Sequence, residues 1–304
     1  MTPADVAVVI LAFNEAPNIA HAVGSVRGWA REVFVLDSFS TDDTVARAER
    51  AGATVFRHPF VDYASQRDHA LTALPIAAEW VLFLDADEWT PPALRDEIAA
   101  VVAASPVENG FAMRYRLIWN GTWIRRGYYP TWILRLVRRG RARCDARPVG
   151  EHLLVDGAVG RLRADLMHED RKGIDAWIAK HTAYASGEAR ELLVRRTQSA
   201  YVGARLFGTQ AQRKRWLRER LWTRLPPLVR PFLYFFLRYI VQGGFLDGRD
   251  ALVYHFLHAL WYQLLIDVKY LEMLRESRQP APRSDTAPSS APSSAVTVTT
   301  TGAP

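Results

Sequence analysis

An apolar run, Trp80-Val81-Leu82-Phe83-Leu84, ends at two carboxylates spaced i, i+2, Asp85 and Asp87, with Glu88 next. The run is too short for an ordinary helix and rich in aromatic and branched side chains, so it reads as a strand buried on both faces. If extended geometry continues, Asp85 and Asp87 point the same way. Two converging carboxylates repel unless a cation neutralises them. Mg²⁺ or Mn²⁺ would do so while keeping positions open for phosphate oxygens. The alternative is that one of the pair only caps a helix beginning near Pro91-Pro92.

Other chemistry-bearing residues fall in equivalent places. Strands are expected over residues 6–13, 32–37, 53–58 and 80–85, with helices near 16–28, 42–51 and 63–74. That alternation implies an α/β fold with a mostly parallel sheet and flanking helices. Asn14-Glu15 then follows the first strand, Asp37-Ser38 the second and Asp85-Ala86-Asp87 the fourth. Ligands of open parallel sheets bind beyond these carboxyl ends. No Gly-x-Gly-x-x-Gly and no Gly-x-x-x-x-Gly-Lys-Ser/Thr is present, so phosphate must be held by metal and arginine. Arg67, early in the third helix, supplies such a charge. A further helix is expected over 92–104 and a strand over 110–119, then short strands and loops to 168 and a helix over 174–193.

Between Arg195 and Arg249 stand twelve Lys/Arg against Glu219 and Asp247, although the whole chain of 304 residues carries 39 against 32. Such a patch attracts the phosphates of lipid head groups or of nucleic acid. Aromatic content decides for lipid: Phe232-Leu233-Tyr234-Phe235-Phe236-Leu237 is flanked by arginines, and residues 251–266 contain no Asp, Glu, Lys or Arg. Both stretches are short or interrupted for a span of about twenty residues, so helices lying in the membrane interface are expected. The alternatives are a helical appendage packed on the rest of the chain, or a tilted spanning hairpin. The Pro/Ser/Thr/Ala-rich stretch 278–304 is expected to be disordered. The lone Cys144 fits a reducing compartment, and the N-terminus reads as a first strand, not a signal peptide.

Val9-Ile10-Leu11-Ala12-Phe13-Asn14-Glu15, then Val35-Leu36-Asp37-Ser38-Phe39-Ser40-Thr41-Asp42-Asp43-Thr44, then Leu84-Asp85-Ala86-Asp87-Glu88 resemble the family 2 glycosyltransferases, over roughly residues 5–170. Gln66-Arg67, Arg135-Leu136-Val137-Arg138-Arg139 and Val149-Gly150-Glu151-His152 are similar to lipopolysaccharide core enzymes that add a β-linked glucose. The resemblance implies a GT-A nucleotide-sugar fold over 1–170, a helical membrane-interface region over 171–277, and inverting transfer from a nucleoside-diphosphate sugar, UDP favoured, to a lipid-linked glycan at the cytosolic face of the inner membrane.

By the same resemblance Asp37 contacts base or ribose, Phe13, Asn14 and Glu15 line that pocket, Asp85 lies near ribose and diphosphate, Asp87 ligates Mg²⁺ or Mn²⁺, and Arg67 meets the diphosphate. Inversion needs a general base, for which Glu151 and Asp170 compete. His152 and His168 are candidate metal or phosphate contacts, or ordinary structural residues. Trp119, Trp123, Tyr128, Tyr129 and Trp132, with Arg125, Arg126 and Arg135, could stack on sugar rings and hold acceptor anions, or simply pack the sheet. A sugar nucleotidyltransferase and a basic nucleic-acid-binding protein are the competing readings. The first lacks its Gly-rich loop, and an acidic rim suits no polyanion, so no nucleic acid is expected.

Overall fold

The computed structural model describes residues 3–144, 153–197 and 225–277. Its frame is a nine-stranded sheet built from β1 (Ala4–Ala12), β2 (Ala30–Asp37), β3 (Thr54–Arg57), β4 (Trp80–Asp85), β5 (Glu88–Trp89), β6 (Gly110–Trp119), β7 (Thr122–Trp123), β8 (Thr131–Arg138) and β11 (Val159–His168). β9 (Ala142–Cys144) and β10 (Leu153–Val155) form a separate ribbon. The order is β3-β2-β1-β4-β8-β6-β11-β5, with β7 on β6. β1 to β4 pair in parallel, β8 runs antiparallel to both its neighbours, and β6 and β11 are parallel. The carboxyl ends of β1, β2, β4, β6 and β11 therefore share one rim, where antiparallel β8 begins.

The alternation of side chains splits the core. Val8, Ile10, Leu82 and Leu84 pack on one face, under α1 (Ile19–Val26) and α4 (Pro92–Ala103). Ala7, Val9, Val81 and Phe83 pack on the other, under α3 (Tyr63–Ala73). Each fully buried large side chain contributes roughly 1.5–3 kcal/mol, which makes these strands a rigid platform for their tips. α2 (Thr44–Ala51) stops at Gly52, whose φ of 98° is left-handed and suits only glycine without strain.

The expected elements of the first hundred residues are present with ends shifted by a few residues. Residues 120–168, expected as short strands and loops, contain the eight-residue β8 and ten-residue β11. Beyond the sheet, α5 (Ile174–Thr197) precedes α6 (Arg230–Phe235), which continues as a π-helical turn, Phe236–Val241. α7 (Arg249–His255) likewise continues through π-helical Phe256–Trp261 into α8 (Tyr262–Glu276). These helices pack onto the sheet: Trp119 and Tyr128 meet Tyr254, and Arg126 pairs with Asp247. Among the described residues no helix is long and apolar enough to cross a membrane. The arginines at 213–224, Trp216, Trp222 and the tail from 278 lie outside the described residues.

Candidate active site

The strand register gathers the acids. Ala12 pairs with Asp37 and Leu11 with Asp85, so these two carboxylates end the strands on either side of β1. Two strand spacings put their backbones about 10 Å apart. Asp37 is fully buried. Its Oδ2 accepts from the Ser40 amide at 3.0 Å and lies 4.0 Å from Arg57, while Oδ1 is buried with no hydrogen-bond partner. A buried carboxylate oxygen left unsatisfied is costly unless a ligand completes it. Asn14 ties the same rim together from a left-handed backbone (φ 51°): its amide donates to Ser40 Oγ, and its Oδ1 accepts from the Thr41 amide. Phe13 beside it is exposed.

Asp85 and Asp87 do not point the same way. β4 ends at Asp85 and the chain turns at Ala86 and Asp87, so extended geometry stops between them. Neither caps a helix, since the residue preceding α4 is Pro91. Their repulsion is relieved by separate cations. Asp85 lies 2.5 Å from Arg135 Nη2 and 3.4 Å from Arg67 Nη2. Arg135 also meets Glu88 at 2.7 Å. It reaches both because Leu134 and Leu136 oppose the consecutive residues Ala112 and Phe111, leaving Arg135 as the extra residue of a bulge. Bulges re-aim side chains in this way. Burial raises the Asp85 carboxyl, but Arg135 and Arg67 overcome it and hold the group well below the usual range. Burial wins at Glu88, which is pushed up to about 7 against the pull of Arg135.

Asp87 belongs to a second cluster. Its Oδ1 is 3.5 Å from His168 Nδ1, at the end of β11, and its Oδ2 is 3.4 Å from Lys180 Nζ on α5. Lys180 is also 3.8 Å from Asp170 Oδ2. Asp170 Oδ1 accepts from Asn18 Nδ2 and the Lys172 amide, whereas Oδ2 is buried with no hydrogen-bond partner. Burial raises the Asp170 carboxyl, yet Lys172 and Asn18 bring it below its ordinary value. Glu15 pairs with Lys172 and accepts from Asn18, but burial keeps its carboxyl above the ordinary range.

Among the described residues no three His, Cys, Asp or Glu side chains converge tightly enough to cage a metal ion. Asp87 and His168 offer two donors beside the unsatisfied Asp170 oxygen. Mg²⁺ and Mn²⁺ commonly take one or two protein ligands and fill the rest with phosphate and water. The donor set therefore fits a cation that arrives with a diphosphate.

Of the remaining expected residues, Glu151 and His152 lie outside the described residues. The aromatic group divides: Trp119 and Tyr128 anchor the helices, Arg126 is committed to Asp247, and Trp123, Tyr129 and Trp132 stand among arginines. Lys172, Lys180 and Asn18 are site residues that sequence reasoning missed. A lysine reads as solvated in sequence, and the contacts of Asn18 with Asp170, Lys172 with Glu15 and Lys180 with Asp87 join residues far apart in the chain.

The fold is a mostly parallel α/β sheet with acids at successive strand tips. The chain belongs to glycosyl transferase family 2, whose sequence profile matches residues 7–151. It is 31% identical over 192 residues to the lipopolysaccharide core biosynthesis glycosyltransferase LpsC of Rhizobium meliloti, covering 59% of this chain and 68% of that one. It is 39% identical over 109 residues to an uncharacterized glycosyltransferase of Rickettsia felis, 36% of this chain and 38% of that one. The chain thus spans under two fifths of the Rickettsia felis relative. Among solved structures it is similar to glucosyl-3-phosphoglycerate synthase of Mycobacterium tuberculosis, crystallised with Mn²⁺, uridine diphosphate and glucosyl-3-phosphoglycerate. That similarity has a TM-score of 0.33 and 28% identity over 37% of this chain and 44% of that one.

Proposed function

We propose that the protein is an inverting glycosyltransferase that moves a hexose such as glucose from a nucleoside-diphosphate sugar, UDP favoured, to a lipid-linked glycan of the lipopolysaccharide core type. One observation carries this reading: the unsatisfied buried oxygen of Asp37 lies across β1 from the arginine-paired Asp85. Asp37 takes a hydroxyl or N–H of the nucleoside, within the wall formed by Phe13, Asn14 and Glu15. Asp85, fixed by Arg135, orients the ribose side, and Arg67 faces the diphosphate. Asp87 and His168 would hold Mg²⁺ or Mn²⁺, which supplies positive charge to the leaving diphosphate. Asp170, kept ionised by its neighbours, and Glu151 are the two carboxylates suited to take the acceptor hydroxyl's proton.

Attachment to the cytosolic membrane surface is supported by the helical region. Phe232, Phe236 and Ile240 recur every four residues and are 56%, 55% and 44% exposed, with Leu233, Leu237 and Val241 exposed beside them. An apolar patch of this extent marks an interaction surface, and the arginine-rich sequence just before it favours anionic head groups, each cation contributing about 1 kcal/mol.

The test is a melting-temperature panel of nucleoside diphosphates with Mn²⁺ or Mg²⁺, followed by mass spectrometry of a lipopolysaccharide acceptor incubated with the matching sugar donor. One diphosphate should raise the melting point by mass action, and the acceptor should gain one hexose. No response to any nucleoside diphosphate would sink the proposal.

A further inference from the structure

Asn18 immediately precedes α1, a position where an asparagine side chain ordinarily accepts from a backbone N–H of the first turn. It makes no such bond. The Asn18 and Ile19 amides both donate to the Glu15 carbonyl, and Asn18 takes helical angles (φ −103°, ψ −41°) in place of the extended ones typical of a capping residue. The side chain is 2% exposed, and its hydrogen bonds go to the rim of the sheet.

Nδ2 of Asn18 donates to Glu15 Oε2 at 2.7 Å and to Asp170 Oδ1 at 3.1 Å, and its Oδ1 accepts from the Arg171 amide at 2.9 Å. Only this orientation of the carboxamide pairs each donor with an acceptor. One side chain therefore joins the loop after β1 to the loop after β11, whose Asp170 is 152 residues further along the chain. The bond from the Arg171 amide also fixes the main chain next to Asp170.

The carboxamide is neutral, so it does not offset the charge of either acid. Lysines do that: Lys172 pairs with Glu15, and Lys180 lies 3.8 Å from Asp170. What Asn18 adds is direction. Together with the Lys172 amide at 3.0 Å it commits Oδ1 of Asp170, while Oδ2 is buried with no hydrogen-bond partner. Two N–H groups on one oxygen fix the rotation of the carboxylate and leave the other oxygen with unused acceptor capacity.

We propose that Asn18 is a positioning residue for Asp170, which it holds with Oδ2 turned to the acceptor hydroxyl. This rests on the glycosyltransferase reading and deepens it, giving the role of base to Asp170. As the acceptor oxygen bonds to the anomeric carbon, its proton passes to Oδ2. The bond from that carbon to the diphosphate breaks, and its electron pair leaves on the diphosphate. Without Asn18 the carboxylate would be free to rotate about Cβ–Cγ and present either oxygen poorly, a loss felt in turnover and not in donor binding.

The test follows UDP release from UDP-glucose by the full chain with Mn²⁺, water serving as acceptor, alongside calorimetric UDP binding and melting temperatures. Asn18→Ala should lower kcat about tenfold or more, with KM for UDP-glucose and UDP affinity within about twofold of the unaltered chain. Asp170→Asn should lower kcat further, and the double variant should be no slower than Asp170→Asn alone, because Asn18 acts through Asp170. If Asn18→Ala does not fold, Asn18→Ser, which keeps a hydroxyl donor, should show a smaller loss of the same kind. An unchanged kcat, a loss confined to KM, or equal losses with and without Asp170 would each overturn the assignment. Should the unaltered chain release no UDP, the melting temperatures decide: a combined effect of Asn18→Ala and Asp170→Asn smaller than their sum upholds the coupling, and additive effects overturn it. Failure of UDP to bind the unaltered chain would separately strike the donor-site reading.

Discussion

Lys180 Nζ lies 3.4 Å from Asp87 Oδ2 and 3.8 Å from Asp170 Oδ2, so one ammonium group bridges two carboxylates, of which Asp87 also meets His168. Burial would lower its pKa, but Asp87, with smaller help from Tyr184 and Asp170, raises it well above the ordinary lysine range. The lysine stands where a divalent cation would relieve the same repulsion. Replacing it should therefore make the site hungrier for metal.

Lys180→Ala is expected to lower stability by about 1 kcal/mol, a value discounted for the lysine's partial exposure. Mn²⁺ should restore more of the melting temperature in this variant than it adds to the unaltered chain. Thermal melts with and without Mn²⁺ decide the matter. Identical Mn²⁺ shifts in the two proteins would mean that Lys180 and the metal do not share a place.

Arg135 neutralises two acids at once, so its removal is costly. Arg135→Gln is expected to destabilise the fold by about 3 kcal/mol, because Asp85 and buried Glu88 lose their counter-charge together. The deficit should shrink on acidification, since protonating Glu88 removes one of the stranded charges. Chemical denaturation at pH 8 and pH 5.5 gives both values. A loss that grows towards acid would contradict the pairing.

The helical region should be acid-labile. Burial lowers His258 to about 3, helped by His181 and Arg238. Burial lowers His255 to about 4, helped by Arg238, and lowers His181 to about 4, helped by Lys180. His255 is wedged where a Cβ on Gly127 or Gly244 would come within 2.8 or 2.5 Å of its ring. With folded values below the unfolded 6.5, the unfolded state binds more protons between pH 6.5 and about 4, so stability falls as pH falls through that window. Glu88, raised to about 7, and Glu15, also raised, work the other way, but they are two groups against three. Each uncompensated proton is worth about 1.4 kcal/mol per pH unit. Denaturation between pH 7 and 4.5 should show this slope, and His258→Gln should reduce it by close to one proton. A pH-independent stability would contradict the assignment.

The exposed apolar face gives a membrane prediction. Phe236→Asp/Ile240→Asp should reduce flotation with anionic vesicles while leaving nucleotide binding intact, because both side chains are exposed. Equal flotation of the double variant would remove this face as the attachment surface.

Much of the rim was legible in the sequence. Ala4–Ala12 and Trp80–Asp85 read as strands because both faces are buried and the apolar runs are continuous. Asp37, Asp85 and Asn14 follow from strand ends alone. The separation of Asp85 from Asp87 was not legible, because a turn at Ala86 is a tertiary choice that no flanking Gly or Pro announces. β11 was also missed, although Arg161-Leu162-Arg163-Ala164-Asp165-Leu166 alternates strictly. Its outward charges resemble a loop until the aromatic residues that stack on them come into view. The bulge that aims Arg135 depends on pairing between β6 and β8 and leaves no trace in either strand by itself.

The most direct test of the account is calorimetric titration of UDP with Mn²⁺ into the unaltered chain and into Asp37→Asn, with melting curves to verify folding. The account requires binding in the first and at least about a tenfold loss in the second, because a buried carboxylate that accepts from the ligand has been neutralised. Full affinity in a folded Asp37→Asn protein would contradict it.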